Sequence, residues 1–405
     1  MRVVVVNSGS SSIKYEVFAL QDCSLVVKGL LERIGTREAT FRRRWLSDSG
    51  AWEELVETRP IADHHEGFEF LLEVAVRYPT TRVAPKAFFG FGHRVVHGGE
   101  RFRAPVIVDD EVVRQIKDLI PLAPLHNPSN VLAIEAVRTL RPDLPNVAVF
   151  DTAFHQSMPP RAFHYALPNE LYGMHHVRRY GFHGTSHHYV AKEASRYLGI
   201  PEEHLNLVTL HLGNGASATA VEGGKSVDTS MGLTPLEGLI MGTRCGDLDP
   251  AIHFYLSRKI GRPFEEIESV LNKESGLKGI CGLNDMREIQ RRAEEGDDRA
   301  QLAIEMFCYR IKKYIGAYCA VLGRVDAVVF TGGIGENSAR IRKESCEGLE
   351  SLGICLDDRK NAESFRGIAE IQAGESRVKV LVIPTDEELE IARQTIETIR
   401  RARGA

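Results

Sequence analysis

The stretch Val3-Val4-Val5-Val6-Asn7-Ser8-Gly9-Ser10-Ser11-Ser12-Ile13-Lys14 opens the chain with an apolar run that ends in small polar residues. Four consecutive valines are typical of a strand buried on both faces of a sheet. An alternating segment, residues 13–20, follows the polar tip. The pattern predicts a β-hairpin whose glycine- and serine-rich tip lets backbone N–H groups approach a phosphate.

The same design returns in the second half of the chain. Residues 207–212 form an apolar run, Gly213-Asn214-Gly215-Ala216-Ser217 a small polar tip, and residues 218–221 a second strand. Two hairpins of one design indicate a duplicated domain. Chance similarity between two glycine-rich turns is the alternative at this point.

A third candidate phosphate loop lies near the C-terminus. Residues 325–330 predict a strand, Thr331-Gly332-Gly333-Ile334-Gly335-Glu336-Asn337 a loop, and residues 338–349 a helix; residues 301–322 show helical spacing before it. The alternation of helices and strands predicts an α/β fold. No G-x-x-x-x-G-K-[ST] occurs, which excludes a P-loop NTPase, and the loop spacing does not fit the dinucleotide fingerprint.

The chain length and strand positions predict two domains. The chain has 405 residues, and a buried strand at residues 147–150 ends on Asp151. From residue 386 onward the pattern predicts a helix that packs back on the first domain. We therefore expect one domain from residues 1–151 plus 386–405 and a second from residues 152–385.

Composition narrows the class of protein. Hydrophobic residues make up 43% and charged residues 26% of the chain, as in soluble globular proteins. The net charge is −4, and we interpret the one basic run, Arg42-Arg43-Arg44, as a solvated loop or a strand edge. A nucleic-acid partner is not expected, because such proteins carry a basic excess.

Cysteine usage and apolar runs bear on the compartment. The seven cysteines are scattered and include no C-x-x-C pair, which is typical of a reducing environment. The first apolar run is shorter than the ~7–15 residues of a secretory signal, and no stretch reaches the ~18–20 apolar residues of a membrane span. We expect a cytoplasmic protein that does not bind a membrane.

Two arginines lie in glycine-rich segments, Arg94 in His93-Arg94-Val95-Val96-His97-Gly98-Gly99 and Arg244 in Met241-Gly242-Thr243-Arg244-Cys245-Gly246-Asp247. An arginine beside small residues reaches a planar anion through two hydrogen bonds and keeps its charge at neutral pH. Two such arginines suit a reaction between two anions. A structural ion pair is the alternative for each.

Histidines and carboxylates add further candidates. His183 lies between two glycines in Tyr180-Gly181-Phe182-His183-Gly184-Thr185-Ser186-His187-His188, which favours a donor to a phosphoryl oxygen over a zinc ligand paired with His187. Asp151 and Glu387 each follow a predicted strand, where open α/β sheets bind their ligands. Together they predict a Mg²⁺ site, since Mg²⁺ takes few protein carboxylates.

These motifs together resemble the acetate and propionate kinases. The matching segments are residues 7–14, 93–100, 122–130, 150–155, 178–190, 211–217, 228–250, 331–342 and 384–393. They follow one another in order along nearly the whole chain. The resemblance implies a duplicated actin-like, ribonuclease H-like fold with a central cleft, as in sugar kinases, actin and Hsp70 ATPase domains.

The resemblance also implies an activity: reversible, direct in-line transfer of the ATP γ-phosphoryl group to acetate, giving acetyl phosphate and ADP, with Mg²⁺ or Mn²⁺. Arg94 would bind the acetate carboxylate, Arg244 would stabilise the phosphoryl group in transfer, His183 would donate a hydrogen bond to it, and Asn7 would align it. Asp151, Glu387 and Asn7 would position the metal. A homodimer is implied as well.

The remaining implied contacts concern the two substrates. The pocket for the acetate methyl would comprise Val96, Leu125, Phe182 and Pro235, with His126 near the phosphate. The nucleotide would meet Lys14, His211, Gly213, Asn214, Gly215, Asp285, Arg287, Gly332, Gly333, Ile334, Gly335 and Asn337. The chain departs from the family pattern at Cys245, whose thiolate fraction would rise if it lay exposed beside Arg244.

Alternatives stay open on the substrate and on the class. Propionate kinase shares this chemistry, and one more methylene is worth only ~1–3 kcal/mol of discrimination. Val96 favours the smaller acid. An actin- or Hsp70-like ATPase is the rival from another class, against which the two arginines argue, and a histidine-based metal hydrolase ranks last.

Overall fold

The computed structural model describes residues 1–9, 11–47, 49–77, 88–124 and 126–404. The chain divides into two compact units. Unit 1 comprises Met1–Ala153 and Asp386–Ala405, and unit 2 comprises Phe154–Thr385.

Unit 1 is built on an eight-stranded mixed sheet. Its strands are β1 (Arg2–Ser8), β2 (Ser12–Ala19), β3 (Leu25–Glu32), β4 (Thr36–Leu46), β5 (Trp52–Ile61), β6 (Phe88–Val95), β7 (Val106–Ile107) and β8 (Asn146–Phe150). The strand order is β5-β4-β3-β2-β1-β6-β8-β7. Its helices are α1 (His64–Arg77), α2 (Asp110–Asp118), α3 (Asn127–Leu140) and the C-terminal α15 (Glu387–Ala402).

The valine run of β1 is buried because helices cover both faces of the sheet. Val3 and Val5 pack with Ile391 and Ile396 of α15. Val4 and Val6 lie in the opposite core, which includes residues of α1 and α3. A continuous apolar run rather than an alternating one is what such a doubly covered strand requires, and the predicted packing of the tail helix is confirmed.

Glycine in β6 lets α15 approach the sheet closely. A Cβ on Gly92 would lie 2.2 Å from Oγ1 of Thr395, and one on Gly90 would lie 2.4 Å from Cδ1 of Ile399. Any larger residue at these positions would push the helix away from the strand. The middle and later turns of α15 are therefore held against β6.

Unit 2 contains a six-stranded sheet of order β11-β10-β9-β12-β14-β13. The strands are β9 (Asn206–Leu212), β10 (Ala216–Glu222), β11 (Lys225–Thr229), β12 (Ala327–Thr331), β13 (Ala369–Glu370) and β14 (Lys379–Val382). The helices are α4 (Pro160–Phe163), α5 (Asn169–His175), α6 (Gly184–Leu198), α7 (Ala251–Tyr255), α8 (Phe264–Ser269), α9 (Gly276–Cys281), α10 (Met286–Glu294), α11 (Asp298–Leu322), α12 (Gly332–Asn337), α13 (Ala339–Cys346) and α14 (Asp358–Ala362).

The two sheets share one plan. In unit 1, β1, β2 and β3 form an antiparallel meander, and β6 and β8 run parallel to β1. In unit 2, β9, β10 and β11 form the meander, and β12 and β14 run parallel to β9. The repeated strand order 3-2-1-4-5 within each unit confirms the α/β fold and the duplication that the two hairpins predict.

Two expectations on local structure were wrong. The segment 331–337, expected as a loop, forms the short helix α12, which begins directly at the end of β12. The basic run 42–44 lies inside β4, between β3 and β5, and Arg43 is buried, donating from Nη1 to the carbonyl of Val74 at 3.0 Å. No described helix is long and apolar enough to cross a membrane.

Candidate active site

Unit 2 contains a cavity of about 710 Å³, which lies in the size range of small-molecule and cofactor sites. Seven of the residues expected to meet a nucleotide line it: Gly213, Asn214, Asp285, Arg287, Gly333, Ile334 and Asn337. Sequence reasoning missed Asn284, Met286, Gln290 and Ser338, which complete the lining. Three of these four lie within five residues of Asp285, on or beside α10, so their position in the sequence next to Asp285 and Arg287 could have identified them.

The wall formed by α12 depends on a glycine. Gly332 has φ +77°, and a Cβ there would lie 2.8 Å from the carbonyl oxygen of Leu212, so only glycine brings α12 this close to β9. Glu336 then closes the turn, since its Oε1 accepts from the N–H groups of Gly332 at 2.9 Å and Thr385 at 3.1 Å. The start of α12 is thereby held at the cavity.

The facing wall begins at the N-terminus of α10. Asp285 caps this helix by accepting from the N–H of Arg287 at 2.9 Å, and its carboxylate also pairs with the Arg287 guanidinium, with Nη2 to Oδ2 at 2.6 Å. Gln290 lies one turn further and accepts from the Ser338 hydroxyl at 2.8 Å. The cavity therefore has a polar rim suited to a ligand with sugar and phosphate groups.

His183 occupies a special backbone position. It precedes α6 with φ +54°, a left-handed conformation that costs a non-glycine residue roughly 1–2 kcal/mol. Its Nδ1 lies 2.9 Å from Oγ of Ser217, and its ring stacks on His211 with centroids 4.3 Å apart. Strain of this kind, held by surrounding contacts, is typical of functional positions.

His211 differs from the expected nucleotide contact. It does not line the cavity described above; its Nδ1 pairs with the Ser186 hydroxyl at 2.8 Å while its ring supports His183. Gly332 and Gly335 were also expected to contact the nucleotide. They do not line the cavity either, and both are buried in α12.

Arg244 is a half-buried cation without a carboxylate partner among the residues that the structure describes. Its Nη1 donates to the carbonyl oxygen of Pro235 at 2.5 Å. Burial lowers the pKa of Arg244 to about 10, so the guanidinium stays charged at neutral pH. A partly desolvated positive charge with no ion pair is costly and is well suited to bind an anion.

Arg244 and His183 converge on Gly215. A Cβ at Gly215 would lie 2.6 Å from Nη2 of Arg244 and 3.2 Å from Nε2 of His183. Gly213 and Asn214, which directly precede Gly215 in the same tip, line the cavity. The tip between β9 and β10 thus has the cavity at one end and the two donors at the other.

Unit 1 places the second predicted arginine among carboxylates. Arg94 binds Asp151 with Nε to Oδ1 at 3.1 Å and Nη2 to Oδ2 at 2.6 Å, and its Nε lies 3.7 Å from Glu387. Burial opposes the charge of Arg94, but these carboxylates raise its pKa above the ordinary value. Burial also raises the pKa of Glu387 to about 7; Arg94 opposes this rise and Asp151 adds to it.

The same end of unit 1 holds a charged cluster that the sequence did not reveal. Lys14 pairs with Glu388 at 2.7 Å and with Glu16 at 3.5 Å. Burial raises the pKa of Glu16 to about 7. Lys14, expected to contact the nucleotide, thus has its ammonium group already paired with two carboxylates. Asn7 lies directly opposite Lys14 in the β1–β2 register.

The residues expected around the acid are placed as follows. Val96 is buried two positions after Arg94, and its N–H donates to Asn130 Oδ1 at 3.1 Å. His126 is exposed at the start of α3, and Leu125 lies outside the described residues. In unit 2, Phe182 is fully buried and Pro235 is half-buried, with its carbonyl on Arg244.

The condition for an activated Cys245, exposure beside Arg244, is not met. The thiol is half-buried and lies 3.2 Å from the carbonyl oxygen of Gly246. Burial raises the pKa of Cys245 to about 11, so the thiolate fraction at neutral pH is small despite the adjacent Arg244.

Comparisons with known proteins agree along the full chain. Acetate kinase of Syntrophobacter fumaroxidans is 78% identical over 402 residues, which are 99% of this chain and 98% of that protein. The crystal structure of Porphyromonas gingivalis acetate kinase has a TM-score of 0.92 at 41% identity and covers 98% of this chain and 99% of that one. A propionate kinase from Francisella tularensis has a TM-score of 0.90 at 43% identity, covering 97% and 98%.

The sequence matches the acetokinase family over residues 2–393. This match takes in both units, the tip that carries Gly215, both arginines and the N-terminal half of α15. The resemblance drawn from the sequence motifs is confirmed. The chain belongs to the acetokinase family.

Proposed function

We propose that this protein is an acetate kinase that transfers the γ-phosphoryl group of ATP reversibly to acetate, giving acetyl phosphate and ADP. The observation that carries the proposal is the convergence of Arg244 and His183 on Gly215, in the same tip whose other residues line the cavity. A cavity of about 710 Å³ accommodates a nucleotide. The relatives named acetate kinase support the choice of acid.

Unit 2 supplies the phosphoryl-side chemistry in this proposal. Phosphoryl transfer needs in-line positioning and stabilisation of charge on the equatorial oxygens, with little covalent help. Arg244 has no carboxylate partner among the described residues, and its Nη2 and Nε2 of His183 both approach Gly215. Two donors fixed before reaction stabilise the charge that builds up in the transition state.

Unit 1 supplies the acid-side chemistry. The bidentate edge of Arg94 is occupied by Asp151, and Nη1 donates no hydrogen bond to any residue in the described ranges. We assign acetate to this Nη1. The acid is already ionised at neutral pH, since carboxyl groups have pKa values near 4, so no general base is required.

Asp151 and Glu387 fit the Mg²⁺ assignment. Both are carboxylates beside Arg94, and their mutual repulsion contributes to the raised pKa of Glu387. Such oxygens are the ligands that Mg²⁺ takes alongside phosphate and water. When bound, the ion would neutralise phosphate charge; Asp151, Glu387 and, as a third candidate, Asn7 would hold it.

We also propose a cytoplasmic homodimer. Residues 251–264 of unit 2 expose five large apolar side chains: Ile252, Phe254, Tyr255, Ile260 and Phe264. An apolar surface of this kind marks an interaction site. Light scattering should give twice the 45.1 kDa chain mass, and a Phe254→Glu/Phe264→Glu double variant should give the mass of one chain.

The test of the activity is a hydroxamate-trap assay with purified protein, ATP, Mg²⁺ and acetate, propionate or butyrate. We expect the acyl hydroxamate to form best with acetate. An optimum with propionate would change the acid and leave the reaction standing, an outcome that the similarity to the Francisella tularensis propionate kinase makes worth measuring. Steady ADP release with no acyl phosphate from any acid would contradict the proposal.

A further inference from the structure

Three buried side chains of unit 2 and the half-buried His183 form a hydrogen-bonded row. Thr209 Oγ1 lies 2.8 Å from Nδ1 of His187. Nε2 of His187 lies 2.8 Å from Oγ of Ser217, and the same Oγ lies 2.9 Å from Nδ1 of His183. The order Thr209–His187–Ser217–His183 connects the interior of the sheet to the donor at Gly215.

The row is rigid because each member is fixed by secondary structure. Thr209 lies in β9, Ser217 in β10 and His187 in α6, and all three are 0% exposed. His187 is four residues after His183 and therefore lies one helical turn from it. His187 uses both ring nitrogens on hydroxyl groups, so it does not offer a nitrogen to a metal.

The Ser217 hydroxyl has one hydrogen and two ring nitrogens beside it. It donates to one of them and accepts from an N–H on the other. If it donates to His183, that Nδ1 is unprotonated and a neutral His183 bears its proton on Nε2. If it donates to His187, the proton of a neutral His183 lies on Nδ1, and Nε2 has none to donate.

Thr209 decides between these two arrangements. Its hydroxyl has two acceptors, Nδ1 of His187 at 2.8 Å and the carbonyl oxygen of Thr219 at 3.5 Å. The second distance is at the limit of a hydrogen bond, so the hydroxyl donates to His187. A neutral His187 then carries its proton on Nε2 and donates to Ser217, which in turn donates to His183.

We propose that His187 and Ser217 are positioning residues that hold His183 in the tautomer with its proton on Nε2, directed by Thr209. The proposal rests on the proposed function of His183 as a donor to the transferred phosphoryl group. It adds that a neutral His183 already presents the donor, so donation does not require an imidazolium. Which ring nitrogen of a neutral histidine bears the proton is set by the hydrogen bond that the other nitrogen makes.

The surroundings keep His187 neutral. Burial lowers the pKa of His187 well below its ordinary value, and the neighbouring His155 and His211 lower it further. Their ring centroids lie 5.8 Å and 6.5 Å from that of His187. A protonated His187 would donate from both nitrogens, so Thr209 would no longer determine which of the two bears the proton.

The experiment measures histidine tautomers in the full chain by ¹⁵N–¹H correlation at pH 8, with signals assigned through His183→Gln and His187→Gln. We expect protons on Nε2 of both rings in the wild type. Thr209→Val removes the directing hydroxyl at nearly constant shape and should raise the fraction of His183 with its proton on Nδ1. Thr209→Ser should restore the wild-type signals.

A matched control lies directly opposite in the sheet. Thr219 pairs with Thr209 in the β9–β10 register and is equally buried, but its hydroxyl bonds Thr229 at 2.9 Å. Thr219→Val should leave the His183 signals and kcat unchanged. Thr209→Val should lower kcat about 10- to 100-fold with little change in the KM for ATP, the usual scale for a residue that orients a functional histidine.

Wild-type His183 with its proton on Nδ1, or His183 signals that do not change in Thr209→Val, would overturn the proposal. If the wild type makes no acyl phosphate but Thr209→Val changes the His183 tautomer, the proposed function fails while the row stands. If acyl phosphate forms and the tautomer is insensitive to Thr209, the function stands and the row fails.

Discussion

Arg94 and Asp151 form a two-point ion pair in unit 1, with Nε to Oδ1 at 3.1 Å and Nη2 to Oδ2 at 2.6 Å. The sequence suggested that Arg94 would reach its acid through two hydrogen bonds, yet that edge of the guanidinium belongs to Asp151. The pair orients the side chain and leaves Nη1 for the acid. Arg94 is thereby preorganised rather than flexible.

Arg94→Lys should raise the KM for acetate at least about tenfold and change kcat less. Lysine keeps the charge but lacks the planar fork, so it does not pair with Asp151 and bind an acid at the same time. Arg141→Lys is the matched control, because Arg141 forms the same two-point pair with Asp143 at 2.8 Å and 2.7 Å. An equal rise in the KM for acetate in Arg94→Lys and Arg141→Lys would contradict the assignment of acetate to Arg94.

Arg244→Ala should lower kcat by roughly 10²–10³ and change the KM for acetate little. Its half-buried charge has no carboxylate partner in the described ranges, so its partner forms in the transition state. Steady-state kinetics of Arg244→Ala and Arg94→Lys, measured side by side, check this division. A large rise in acetate KM with unchanged kcat in Arg244→Ala would show that the division is wrong.

Gly215→Ala should reduce kcat while the protein still folds and binds nucleotide. The new Cβ would lie 2.6 Å from Nη2 of Arg244 and 3.2 Å from Nε2 of His183, so both donors must move. A displacement on the ångström scale costs about 10²-fold in rate. Gly316→Ala in α11, where no atom lies within 4 Å of the added Cβ, should leave kcat unchanged.

His93 should make stability depend on pH. Burial lowers its pKa to about 4, against about 6.5 in an unfolded chain. Between these values the unfolded chain binds more protons, so the free energy of unfolding falls as the pH drops from 6.5 toward 4. The loss between pH 7 and pH 5 should be about 2 kcal/mol, since one pKa unit is worth about 1.4 kcal/mol.

Urea unfolding of the wild type and of His93→Gln at pH 7 and pH 5 measures this pH-dependent loss of unfolding free energy. Glutamine keeps an N–H for Asn146, whose Oδ1 lies 2.7 Å from Nε2 of His93. The pH-dependent loss should shrink in His93→Gln and persist in His204→Gln, which changes an exposed histidine. Identical pH dependence in all three proteins would contradict the assignment to His93.

Local sequence patterns were enough to predict most of the secondary structure and the family. Three segments are predictable from neighbouring residues alone. They are the valine run of β1, the helical spacing of residues 301–322 and the glycine-rich tip at 213–215. The family motifs also lie within short segments, so the reaction class followed from them. The segment 331–337 was misread because glycine spacing in a strand–helix junction looks the same as a loop.

Only the tertiary structure decided which side chains meet. Arg94 and Asp151 are 57 positions apart, and His183 and Ser217 are 34 apart, so no local pattern pairs them. Burial also decided the charge argument at Cys245, where desolvation raises the thiol pKa and outweighs the opposing charge of Arg310. The sequence by itself thus determined the α/β architecture, the duplication and the family, because periodicity and motif are local. The partner of each charge and the tautomer of His183 were decided by packing, because hydrogen bonds and desolvation act across the fold.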